Sequence, residues 1–265
     1  MTQKKLMSHL KKRLNYHYRY FDKSQISPDP LEFLHLYKDG KDIEAIGIIS
    51  SVFAYGRVEQ IISVLTRLND LMEHKPYDFI VNYRYEEDAS VFNGIKHRFY
   101  TSEDIALLFH ILHRAYTSYD SLKELFLLYY FEKENNLKES VSFFARNLLN
   151  LSGLKGSNIT PGLRFMFPDP MLGSACKRMN LFLRWMVRQD ELDFGLWCEI
   201  PKNKLVIPVD THVARICREL HLTHRKNVSW QMAEEITENL KTFDSYDPVK
   251  YDFAICHIGM RRMDF

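Results

Sequence analysis

Apolar residues recur along most of the chain at the three- and four-residue steps of an amphipathic helix, not at the alternating positions of a strand. We predict a long helical stretch over residues 43–71 that turns near Gly56, with apolar positions at 46, 49, 53, 61, 64, 65 and 68. Thr101-Ser-Glu-Asp104 matches a capping box, which predicts another helix start. The pattern therefore predicts an all-α protein.

Glycine and proline concentrate in residues 153–173, the least helical part of the pattern. No internal repeat or low-complexity tract divides the chain. We therefore predict one helical domain over residues 1–265, in which this irregular connection leads into a hairpin-like segment at 168–188.

Composition narrows the class of protein. The 265 residues are 46% apolar, yet apolar runs such as 125–131 are far shorter than a membrane span. The basic start of the chain is followed by no apolar run of the kind that a secretory signal needs. We therefore expect a soluble, cytoplasmic protein without a membrane partner.

Metal chemistry has little support in the sequence. His110 and His113 lie one helical turn apart, but no nearby carboxylate or third histidine completes a metal site. The cysteines form no C-x-x-C pair and do not cluster, so we expect reduced thiols, no iron–sulfur cluster, no metal and no cofactor. The four cysteines are Cys176, Cys198, Cys217 and Cys256.

Charge is distributed unevenly although the net charge is only +2. Residues 1–20 hold six Lys or Arg and no acidic residue, and residues 155–188 hold six more against Asp169 alone. Two such segments could form a phosphate-binding face if the fold brings them together. The alternative is a solvated helix and a solvated loop.

Segment 168–188 is the first with candidate chemistry. We predict that Ser174 caps a helix and that Lys177 lies in its first turn beside Arg178. The helix dipole and the neighbouring charge should lower the lysine pKa, and a lysine must lose its proton to attack carbon. The alternative is a solvated Lys-Arg pair. The apolar stripe of this helix is Cys176, Met179, Phe182, Leu183 and Met186.

The second segment is Pro208-Val-Asp-Thr-His-Val213. Pro208 interrupts what precedes it, and Asp210 is placed to cap a helix with a buried stripe at 213, 216, 217 and 220. A carboxylate that accepts backbone N–H groups should stay ionised at neutral pH. The alternative is an ordinary helix cap without chemistry.

This second segment, with Arg215 after it, resembles the catalytic aspartate motif of the helix-hairpin-helix DNA glycosylase superfamily, which includes endonuclease III and the 8-oxoguanine glycosylases. Bifunctional members carry a nucleophilic lysine upstream, and Lys177 lies 33 positions before Asp210, a gap similar to that of the archaeal 8-oxoguanine branch. The hairpin of the superfamily has two glycines where this chain offers only Gly173. The wider pattern also resembles an uncharacterised bacterial family, DUF2400.

The resemblance implies two helical lobes with a cleft between them, into which a damaged base is extruded from duplex DNA. It implies that Lys177 attacks the sugar and that Asp210 assists, without a cofactor, in what we expect to be a monomer. For Arg184 and Arg188, the alternative to a phosphate contact is plain surface charge. For Phe182 and Trp185, the alternative to a wall of the base pocket is core packing. The candidate DNA-binding residues are Gln60, Gly173, Arg178, Phe182, Arg184, Trp185, Arg188 and His212.

Three hypotheses remain open from the sequence. The first is a lysine-dependent glycosylase and lyase acting on an oxidised base such as 8-oxoguanine. The second is a protein that kept the fold to bind nucleic acid without cutting it, and the third is a helical scaffold. Retention of both Lys177 and Asp210 favours the first, because a protein that only binds has no use for the pair.

Overall fold

The structure is a computed structural model that describes residues 3–261, with side chains described for residues 7–257. In this described part the secondary structure is helical, with two isolated bridges and no strand. The α-helices are α1 (Gln3–Tyr20), α2 (Gly40–Phe53), α3 (Val58–Leu71), α4 (Pro76–Asn82), α5 (Tyr85–Asp88), α6 (Ser102–Tyr119), α7 (Leu122–Leu127), α8 (Lys138–Leu151), α9 (Pro161–Met166), α10 (Lys177–Val187), α11 (Thr211–Glu219), α12 (Trp230–Lys241) and α13 (Asp252–Arg261).

Short 3₁₀ turns join these helices. They lie at Lys23–Gln25, Pro30–Leu36, Ala89–Phe92, Gly156–Asn158, Pro170–Leu172, Lys202–Lys204 and Pro248–Tyr251. The predicted all-α class is confirmed, whereas the helix-hairpin-helix architecture and its cleft stay predictions. Across the described residues, no helix combines the length and the apolar character that crossing a membrane requires.

The chain forms two compact units. We call the first the terminal unit; it comprises the described residues of 1–27, 134–137 and 172–265, and therefore contains α1 and α10 to α13. We call the second the central unit; it comprises 28–133 and 138–171 and contains α2 to α9. Each unit buries apolar side chains of its own helices.

In the central unit, every residue of α2 from Ile43 to its last residue, Phe53, is buried. The long helical stretch predicted from 43 to 71 is broken near Gly56, as the sequence indicated, into α2 and α3. The buried carboxylate of Glu44 accepts the backbone N–H of Leu122 at 2.8 Å, which ties α2 to the start of α7. Helix α6 packs against α4 and α8.

The predicted capping box at the start of α6 is confirmed. Thr101 Oγ accepts the backbone N–H of Asp104 at 3.1 Å, and the Asp104 carboxylate accepts the backbone N–H of Thr101 at 2.9 Å. Two otherwise unsatisfied donors at the helix start are therefore satisfied reciprocally.

In the terminal unit, α11 and α1 both pack against α13. Helix α10 is buried on nearly all sides, and its Phe182 ring meets the edge of Trp197 at a centroid distance of 5.2 Å. The largest side chains of this core, Trp185, Trp197 and Trp230, are almost wholly removed from solvent. Burial of such aromatic surface contributes much of the stabilising free energy of a helical core.

Candidate functional site

Asp210 begins α11. Its backbone is extended, and its Oδ1 atom accepts the backbone N–H groups of His212 and Val213, both at 2.9 Å. Because free N–H groups at a helix start need acceptors, this carboxylate is a structural part of the helix. The helix cap predicted at Asp210 is confirmed.

Helix α10 begins later than predicted. Cys176, which precedes it, has the left-handed backbone angles φ 47° and ψ 38°, and the first helical residue is Lys177. Ser174 Oγ accepts the N–H of Cys176 at 3.2 Å and does not cap the helix. The predicted Ser174 cap is therefore wrong, because a left-handed residue separates that serine from the first turn.

The hairpin-like segment uses left-handed backbone twice. Gly173 has φ +89° and is exposed, and Cys176 adopts a similar conformation despite its side chain. Gly173 also accepts the backbone N–H of Trp230 at 3.2 Å through its carbonyl oxygen. One of the two left-handed positions is thus held by a residue that is less suited to it than glycine.

Lys177 and Asp210 are brought together in the terminal unit. Lys177 Nζ lies 2.9 Å from Asp210 Oδ2, and their side chains are 30% and 27% exposed. The two carboxylate oxygens have separate partners, because Oδ1 caps α11 and Oδ2 faces the lysine. Lys177 and Asp210 therefore each lie at the start of a helix, and both side chains remain partly exposed to solvent.

The pKa of Lys177 is raised, contrary to the lowering expected from the sequence. Burial acts to lower the pKa of this amine, but the adjacent Asp210 carboxylate, together with contributions from Cys256 and Asp252, outweighs it. The sequence argument counted the neighbouring arginine and the helix dipole but not the charge of the Asp210 carboxylate, which contributes most to the raised pKa. At neutral pH the resting lysine is consequently an ammonium ion.

The pKa of Asp210 is lowered. Burial acts to raise the pKa of this carboxyl, but the adjacent Lys177 ammonium and the Val213 N–H group outweigh it. The predicted ionised state agrees with this direction. The resting pair is thus an ammonium–carboxylate ion pair in which the carboxylate is available as a proton acceptor.

Arg184, on α10, and Arg188, directly after its last residue, are both buried, each with 3% of its side chain exposed. Arg184 donates to Asp252 Oδ2 at 2.5 Å, and Arg188 donates to both carboxylate oxygens of Asp247 at 2.8 and 2.9 Å. Both arginines also donate to the fully buried Asp193. They are not placed to contact phosphate, because carboxylates already surround them.

This arginine–aspartate network joins several parts of the terminal unit. Arg188 Nη2 also donates to Asp190 Oδ2 at 2.8 Å, and the Tyr18 hydroxyl on α1 donates to the same oxygen at 3.2 Å. Buried charges of this kind are tolerated only with compensating partners. The network therefore fixes α10, and hence the start of the helix that carries Lys177.

The remaining predicted residues are placed as follows. Phe182 and Trp185 lie in the core, which agrees with the packing alternative, and Arg178 is also buried. His212 is exposed, one residue into α11. Gln60 is an exposed residue of α3 and so belongs to the central unit.

The second basic segment presents less positive charge to solvent than the sequence indicated. Lys4 and Lys5 lie outside the described side chains, whereas Lys11 and Lys12 are exposed on α1. In the second segment, Arg184 and Arg188 are buried and paired with carboxylates, and Lys155 and Arg164 belong to the central unit. The charge count from the sequence therefore overstated the positive surface of residues 155–188.

The sequence analysis did not identify Asp252 as part of this site. Asp252 begins α13, is 3% exposed and pairs with Arg184. Burial raises the pKa of Asp252 to about 6, although Arg184 and Lys177 act to lower it. Nothing local in the sequence marks Asp252 as a partner of Arg184, which lies 68 positions earlier.

The described structure thus defines an all-helical protein with a lysine–aspartate pair at two adjoining helix starts. Residues 29–261 match the family described as a protein of unknown function, DUF2400, and the chain belongs to that family. The predicted family membership is confirmed, while the likeness to glycosylases stays a prediction from the motif. No curated protein and no solved structure matches the chain.

Proposed function

We propose that the protein is a DNA base-excision glycosylase with an associated lyase step, acting on an oxidised base such as 8-oxoguanine. The observation that carries the proposal is the 2.9 Å separation of Lys177 Nζ and Asp210 Oδ2, two residues that lie 33 positions apart in the chain. Both side chains are partly exposed, so a substrate can reach them. A nucleophile within hydrogen-bond reach of a base is the arrangement that covalent catalysis needs.

The chemistry starts from the resting ion pair. One proton passes from Lys177 Nζ to Asp210 Oδ2, which frees the nitrogen lone pair. That lone pair attacks C1′ of the damaged nucleotide, the bond from C1′ to the base breaks, and the base leaves with its electron pair. The departing base takes a second proton from Nζ, so that it is released neutral.

Ring opening then produces the Schiff base. The C1′–O4′ bond breaks with its electron pair going to O4′, which takes the proton held by Asp210, while Nζ forms a double bond to C1′. The regenerated carboxylate stabilises the positive charge on that C=N group. The Asp210 carboxylate can then accept a C2′ proton while the C3′–O bond breaks with its electron pair going to the phosphate oxygen, which nicks the strand.

The buried arginine–aspartate network supports this mechanism by positioning α10. Arg184 and Arg188 hold the helix that Lys177 begins, and Asp252 adds negative charge near the lysine. Reacting groups must be held within a fraction of an ångström for efficient catalysis. The two arginines are therefore proposed to be positioning residues without contact to DNA.

Borohydride trapping tests the proposal. Wild-type protein is incubated with duplexes carrying 8-oxoguanine, uracil or an abasic site, and a Schiff base is reduced to a stable adduct. We expect an adduct in the wild type and none in Lys177→Ala. Lys250→Ala is a matched control, since Lys250 is also partly buried and lies 2.6 Å from Asp244; it should still trap. Absence of an adduct on every duplex, with a folded wild type, would exclude the proposal.

A non-catalytic nucleic-acid-binding protein is the second candidate. The observation that favours it is the raised pKa of Lys177, which keeps the nucleophile protonated at rest. Salt-sensitive DNA binding without any trapped adduct would support this alternative.

A further inference from the structure

The central unit contains a groove of about 600 Å³ between α3 and the loop at residues 94–98. Arg67, on α3, donates to the carbonyl oxygen of Gly94 at 2.9 Å and so joins the two walls. Gln60, which the motif resemblance placed near DNA, lies on the α3 wall. The charged residues that line the groove are Arg67, Lys96 and Arg98, with Glu59 as the acidic one.

An exposed aromatic cluster continues from this groove. The Arg98 guanidinium lies over the Tyr55 ring, 5.1 Å from its centroid. Phe165 contacts both Tyr55 and Phe99, with ring centroids 4.8 and 4.6 Å apart. Phe99 is 46% exposed and Tyr55 is 37% exposed, although such rings are normally buried.

The backbone holds Arg98 and Phe99 at the tip of a tight turn. His97 and Tyr100 exchange both of their backbone hydrogen bonds, at 2.8 and 3.2 Å, and both side chains are buried. Arg98 has φ +57°, a left-handed conformation that is unfavourable for a residue with a side chain. The turn is therefore locally strained at Arg98, and it exposes the Phe99 ring beside the Arg98 cation.

Gly56 leaves space for the arginine. A Cβ atom at this position would lie 3.1 Å from Cδ of Arg98, and its φ of +114° also disfavours other residues. Arg98 can consequently lie between the groove and the aromatic cluster. No ion pair is formed by Lys96 or Arg98 with a carboxylate of the described residues.

We propose that this groove binds the sugar–phosphate backbone of a DNA strand and that Phe99 stacks on an unpaired base at its end. A cationic track combined with an exposed aromatic ring is the arrangement that binds single-stranded nucleic acid. The choice of DNA as the nucleic acid rests on the proposed function, whereas the binding itself requires no chemistry at Lys177. Three cations against one carboxylate give the charge complementarity.

Fluorescence anisotropy with the full chain tests the inference, using a labelled oligothymidylate over a range of salt concentrations. Phe99→Ala should weaken binding by about 5-fold or more, because base stacking on an aromatic side chain contributes that much or more. Phe99→Trp should restore binding. Arg98→Gln should reduce the slope of log affinity against log salt by about 0.7, the value for one lost phosphate contact to a single strand.

Phe143→Ala is the matched control. Phe143 is 37% exposed, belongs to the same unit and stacks on Tyr129 at 5.3 Å, but its neighbouring cation Arg146 is already paired with Asp169 at 2.8 Å. This variant should bind the oligonucleotide like the wild type. Circular dichroism establishes that each variant is folded.

Equal binding by wild type and folded Phe99→Ala would overturn the inference, and the surface would then suit a protein partner better. An equal loss in Phe143→Ala would also overturn it. The proposed glycosylase activity is judged separately, by the adduct formed at saturating protein. Oligonucleotide binding that depends on Phe99, without any adduct, would retain this inference and exclude the proposed function; an adduct without Phe99-dependent binding would do the reverse.

Discussion

Two substitutions at Asp210 separate its structural role from its charge. Asp210→Ala removes the acceptor of two backbone N–H groups and the partner of Lys177. Loss of a helix cap costs about 0.5–2 kcal/mol, and loss of a partly exposed ion pair costs about 0–1 kcal/mol. Asp210→Ala should therefore lower the free energy of unfolding by about 0.5–3 kcal/mol.

Asp210→Asn should be much less destabilising. The amide oxygen of asparagine can replace Oδ1 as the cap acceptor, and asparagine caps helices about as well as aspartate. Only the ion pair is lost, so the free energy of unfolding should fall by less than about 1 kcal/mol. The carboxylate that we propose as the acceptor of the lysine proton is absent in both variants, so both should form little adduct.

Urea unfolding followed by circular dichroism measures these differences near neutral pH. The pKa of Asp210 is lowered on folding, so its ionic contribution is present above the ordinary carboxyl pKa and is lost as the pH falls through the folded value. At neutral pH the full ionic contribution of Asp210 to the free energy of unfolding is therefore present. Equal destabilisation by the asparagine and alanine variants would refute the assignment of Oδ1 as the cap that holds α11.

Two further outcomes follow from the arginine–aspartate network. Arg188→Met should lower the free energy of unfolding in urea by about 3–5 kcal/mol, because it leaves buried carboxylates without their partner; a loss under about 1 kcal/mol would contradict this. Asp252 has a pKa that folding raises to about 6, so its ionisation opposes folding. The free energy of unfolding of the wild type, relative to that of Asp252→Asn, should therefore fall by up to about 3 kcal/mol as the pH rises from about 4 to about 6. A difference independent of pH would contradict the raised pKa of this buried carboxyl.

The parts that the sequence predicted correctly depend on short-range rules. The caps at Thr101 and Asp210 involve only residues two or three positions apart, so a pattern of residue types identifies them. The break near Gly56 is equally local. The proximity of Lys177 and Asp210 is long-range, and the sequence indicated it only through the motif resemblance.

The parts that the sequence did not predict depend on distant partners. Arg184 pairs with Asp252, which lies 68 positions later, so the arginines of α10 look like surface charge until the fold is known. The Asp210 carboxylate, 33 positions from Lys177, likewise reverses the direction that local charges predicted for the Lys177 pKa. The exposed turn at Arg98 was also missed, because a positive φ at a residue other than glycine has no sequence signature.

Localisation of the trapped adduct tests the proposed covalent step most directly. Wild-type protein is reduced with borohydride on an abasic-site duplex, digested with protease and nuclease, and the modified peptide is identified by mass spectrometry. We expect the residual sugar on Nζ of Lys177, with the adduct lost in Lys177→Ala and retained in Lys250→Ala. An adduct on any other amine, or an unmodified Lys177 in a protein that cleaves the duplex, would contradict the assignment of this lysine as the nucleophile.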